Sequence, residues 1–138
     1  MTLKLSANHK RAVSTTLTML DELFVFIEKW VDGQCYASVL YEEKNDLSPS
    51  QKKTLKKELL KFRQYLNDLK NDMKIEKQTQ SAINDIWSRV SVFRENIMEL
   101  EARHMKRYGH IPQEVQEYFN DMSKKLLSQL DRILEIIK

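Results

Sequence analysis

The chain has 138 residues, 41% hydrophobic and 31% charged, enough for one domain with a substantial core. Its net charge of +3 is too small to imply nucleic acid by itself, and a single cysteine, Cys35, excludes an intrachain disulfide and suits a reducing cytoplasm. No apolar run reaches membrane-spanning length, because Leu17 to Val31 is interrupted by Asp21, Glu22, Glu28 and Lys29, and the opening MTLKL lacks the apolar core of a signal peptide.

Both glycines and both prolines fall between long amphipathic stretches. Gly33 closes the first stretch, Pro49 opens the second, Gly109 closes the third and Pro112 opens the fourth. Proline at a helix start and glycine just past a helix end is the polarity of helix boundaries. The spacing predicts an all-α chain of four rods, each of about 25 residues and roughly 35–40 Å. Short second and third connections make neighbours antiparallel. The expected architecture is therefore a single-domain four-helix bundle over residues 1–138, up-down-up-down, with a longer loop between the first two helices.

Ser6 is placed to cap the first helix, expected from about Ala7 to Asp32. Val13, Leu17, Leu20, Phe24, Ile27 and Val31 form its apolar stripe. Met19, Leu23, Phe26 and Trp30 widen that stripe to about half the circumference, more than a bundle helix needs. Either this helix is the most buried rod, or the extra flank is an interface with a second copy. The connection 34–48 carries Tyr36, Val39, Leu40 and Tyr41, enough apolar character to be expected to pack, and to cover that flank if it folds back.

Ser48-Pro49-Ser50-Gln51 reads as a capping box with proline at the first helical position. The second helix follows to about Lys74, with a heptad seam of Leu55, Leu59, Phe62, Leu66, Leu69 and Met73. Between 49 and 78 there are nine basic and four acidic residues. Lys52, Lys56, Arg63, Lys70, Lys74 and Lys77 fall within about 60° of one another beside the seam. That stripe is a candidate contact for the phosphates of a nucleic acid or another polyanion, although no aromatic residues interleave with it as a single-strand platform requires. An exposed lysine-rich flank is more often a solvated face.

The third helix is expected from about 80 to 108, burying Ile83, Ile86, Val90, Phe93, Ile97 and Leu100. Arg94, Glu101 and His104 intrude on that face as a candidate polar core layer that fixes register. Glu101 and His104 also make an E-x-x-H pair, the spacing used twice by di-iron bundles. No other helix repeats it, so the metal reading is incomplete and no cofactor is expected. Arg103 and His110 are six residues apart, similar to the Arg-x(4–6)-His pair of the HEPN ribonucleases, themselves helical bundles. The likeness covers those two residues alone, and Gly109 and Pro112 put His110 in a turn. The fourth helix runs from Pro112 nearly to the end, with Val115, Phe119, Met122, Leu126, Leu130, Ile133 and Ile137 facing inward.

The expected function is that of a non-catalytic interaction, scaffold or regulatory bundle, acting as a homodimer or on another helical protein. Polyanion binding through the second helix, with or without ribonuclease activity, is the alternative, and a metal-binding bundle the second.

Overall fold

The computed structural model describes residues 3–138 and is all-helical. Helices α1 (Ala7–Val31), α2 (Pro49–Met73), α3 (Ala82–Met98), α4 (Ala102–Met105) and α5 (Gln113–Ile136) follow in order, with a 3-10 turn over Lys106–Tyr108. No helix among the described residues is long and apolar enough to cross a membrane. The chain forms two compact units, Met1–Lys77 and Gln78–Lys138.

The first unit is a helical hairpin of α1 and α2. Ser6 caps α1, its hydroxyl accepting from the His9 N–H at 3.1 Å. Gly33 closes the helix at φ +80°, which allows Gln34 N–H to reach back to Lys29 O at 3.0 Å. That left-handed closure is cheap only without a Cβ. The capping box of α2 is complete: Ser48 Oγ accepts from Gln51 N–H at 3.0 Å, and Gln51 Oε1 accepts from Ser48 N–H at 2.9 Å. Lys74 ends α2 in the left-handed region at φ +51°, a conformation usually left to glycine or asparagine. Phe24 and Leu59 are buried along the seam, and Phe24 meets the Phe62 ring at a centroid distance of 5.2 Å. Arg63 of α2 pairs with Glu28 of α1 across the same seam.

The second unit packs α3 and α4 on α5. Ser81 caps α3 and accepts from Asn84 N–H. The third helix of the sequence reading does not continue to 108. It stops at Met98, tightens through Leu100 N–H to Ile97 O at 2.9 Å, and passes through extended backbone at Glu101 before α4 begins. No glycine or proline causes this break; α5 does. Asn120 Oδ1 accepts from Ala102 N–H at 2.9 Å, and Ser123 Oγ donates to Ile97 O at 3.2 Å. The polar backbone freed by the interruption is thus satisfied from the neighbouring helix. Ser123 is 1% exposed, a small side chain enclosed where α5 packs on the end of α3.

Candidate functional site

Two features of the first unit stand out, and both begin on α1. Its seam with α2 is centred near Phe24. Met19, Leu23 and Phe26 lie roughly 130° round the helix from Phe24, at 100° per residue. They are 64%, 48% and 55% exposed, so α1 carries a second apolar face that its own hairpin leaves uncovered. Trp30, the fourth residue of that flank, is half-buried. The connecting loop reaches it and stops there, leaving the rest of the flank open.

The loop is held in place by its own bonds. Lys29 Nζ donates to both Glu43 carboxylate oxygens at 2.8 and 2.7 Å. It also lies 4.8 Å from the ring centroids of Trp30 and Tyr36. Glu43 Oε1 accepts from Tyr36 N–H at 2.9 Å, Cys35 Sγ donates to Glu43 O at 2.7 Å, and Asn45 Nδ2 donates to Trp30 O at 2.7 Å. Ala37 and Glu42 form an antiparallel bridge, and Ser38 N–H donates to Tyr41 O at 2.8 Å. The chain is folded into a short finger with Val39 and Leu40 at its tip. They are 94% and 95% exposed, which corrects the expectation that the apolar loop residues pack inward. Backbone bonds and Glu43, not side-chain burial, fix the turn that leaves the tip in solvent.

The Lys29 hydrogen bonds hold the Glu43 carboxyl below its ordinary range, with the Tyr36 N–H adding to the effect against partial desolvation. Because the folded-state value lies below the unfolded one, this anchor is intact above the usual carboxylate range. It is lost as pH falls through the lowered value. The Tyr36 amide resonance is therefore expected to hold its position on acidification until below that range. A shift at the pH of a free carboxylate would show that the anchor is not formed. Glu28 behaves alike, its carboxyl held down chiefly by the hydrogen bond from Arg63.

The other candidates are more scattered. Arg63 of the α2 stripe is engaged with Glu28, and Lys52 is half-buried, while Lys56, Lys70, Lys74 and Lys77 are exposed. In the second unit Arg94 pairs with Asp131 of α5, Glu101 pairs with Arg103 at 3.1 Å, and His104 Nδ1 lies 3.9 Å from Glu99. The three residues of the expected polar layer thus sit on either side of the helix break, each with its own partner. Glu101 is the N-cap of α4 and His104 lies within it, so the E-x-x-H pair is not carried on the continuous third helix that the di-iron spacing requires. An open cleft of about 360 Å³ at the break is lined by Glu101, Arg103, Asn120, Ser123, Lys124 and Leu127. One apolar wall residue is far from the lining of an ordinary small-molecule site. His110 is exposed in its turn, and Arg103 is tied to Glu101. Among the described residues no group of three His, Cys, Asp or Glu side chains is placed to hold a metal ion.

No family model, curated protein or solved structure matches the chain.

Proposed function

We propose that the protein is a non-catalytic helical interaction protein of the cytoplasm, working as a homo-oligomer through the outer flank of α1. The observation that carries this reading is the exposure of Met19, Leu23 and Phe26 on a face turned away from α2. Large apolar side chains grouped on one helical face mark an interaction surface. The hairpins also leave Ile86 and Phe93 of α3 and Leu126 and Ile133 of α5 exposed, together with Phe62 of α2. A helix pair must bury its remaining stripe against another layer. The antiparallel four-helix bundle, up-down-up-down, is the arrangement that uses these stripes within one chain, with the α1 flank left over for a second copy. Polyanion binding along α2 is the weaker reading, since Arg63 at the centre of the stripe is committed to Glu28.

The experiment is the solution mass by light scattering at low and high salt. A salt-resistant dimer is expected, and the double substitution Leu23→Glu and Phe26→Glu is expected to give a monomer of unchanged helicity. Burying a carboxylate in an apolar interface costs several kcal/mol, roughly a thousandfold or more in affinity. A monomeric parent protein would remove the reading. Loss of helicity in the double variant would instead place the flank inside the fold of the single chain.

A further inference from the structure

The α1 flank is too small to hold two copies together alone. At roughly 200 Å² for a fully exposed large side chain, Met19, Leu23 and Phe26 offer on the order of 300 Å² per copy. A standard stable interface takes about 800 Å² per partner. The shortfall has a source in the same unit. Tyr36, Val39, Leu40 and Tyr41 of the finger are all exposed, and by the same measure they add on the order of 600 Å². Flank and finger together reach the standard size.

We propose that the 34–47 finger is the second half of the self-association surface, seated on the α1 helix of a second copy. This rests on the homo-oligomeric reading above and names where its missing area comes from. In a two-fold pairing each copy gives one finger and receives one. With the two α1 helices antiparallel and crossing near Leu23 and Phe26, chain beyond Gly33 of one copy lies beside residues at and before Thr16 of the other. Ala12 and Thr16 are exposed there on the same helical face as the flank, and their short side chains leave room for Val39 and Leu40. Finally, the finger is already ordered by the Lys29, Glu43 and Asn45 bonds, so docking it loses little conformational freedom.

The frame bonds use no side-chain atom of Val39 or Leu40, so both can be changed without undoing it. The test compares the full-length parent with Val39→Ser, Leu40→Ser by sedimentation and circular dichroism. Dimerisation at least tenfold weaker with unchanged helicity is the expected result. Dimerisation as tight as the parent's would overturn the finger and leave the flank reading standing; a monomeric parent would overturn both. A second arm fixes the geometry. In a Cys35→Ser background, copies bearing Leu40→Cys are mixed with copies bearing Thr16→Cys and treated with a short bismaleimide. Cross-linked pairs of unlike copies are expected, and their absence from a protein that still dimerises would also overturn the proposal.

Discussion

Replacing Phe24 with alanine is expected to lower the stability of the first unit by about 3 kcal/mol. The ring is 5% exposed and stacks at an angle on Phe62, where α1 and α2 bring two large aromatic side chains together. Its removal loses the transfer free energy of the ring and leaves a cavity that two rigid helices close only in part. The two tryptophans make the measurement selective, because Trp30 belongs to the first unit and Trp87 to the second. In a Trp87→Phe background, urea unfolding followed by Trp30 fluorescence should show a lower midpoint at constant slope. Protein concentration must be held fixed if the chain self-associates. A loss below about 1 kcal/mol would mean that the Phe24 site collapses freely and that the seam is held elsewhere.

The second large effect is expected at Ser123. Leucine there must fit where a 1%-exposed serine now lies between α5 and the last turn of α3. Overpacking of that kind costs about 1–3 kcal/mol, and loss of the hydroxyl donor to Ile97 O adds a little more. Ser123→Ala separates the two contributions. Ile97 O keeps its bond from Leu100 N–H, so the alanine variant should lose under about 1 kcal/mol. Both are read from Trp87 fluorescence in a Trp30→Phe background. A leucine variant as stable as the parent would show that the α3–α5 contact opens without penalty, contrary to the close approach that Ser123 marks.

The helix boundaries were legible because their causes are local. Ser6, Gly33 and the Ser48–Gln51 box act within three or four residues of the ends they define, and the sequence placed those ends within a residue or two. The break after Met98 was not legible because its cause is distant. Residues 99–101 hold no breaker; the groups that stabilise the interruption, Asn120 and Ser123, come 18 and 26 positions after the atoms they bond. Periodicity alone therefore carried the third helix straight through it. Arg94 is separated from Glu101 and His104 for the same reason, since the continuous helical register that aligned them is interrupted at the break. The α1 flank was visible as an over-wide arc, and its exposure is what the structure adds. The exposure of the finger was not legible because apolar composition says nothing of direction. Val39 and Leu40 point outward through a turn set by the Ala37–Glu42 bridge and by Glu43, whose partner Lys29 lies 14 residues earlier.

The stitching of the break by α5 has a consequence for the order in which the second unit folds. A four-residue helix cannot nucleate by itself in water, and α4 has no local side-chain cap at its start. Its first N–H donates to Asn120, an acceptor in place only when α5 is docked. The segment from Glu101 to Tyr108 is thus expected to form late, with contacts that belong to the native side of the folding barrier. Weakening them, as by Asn120→Ala, is expected to hasten unfolding in stopped-flow denaturant jumps while leaving the rate of folding nearly untouched.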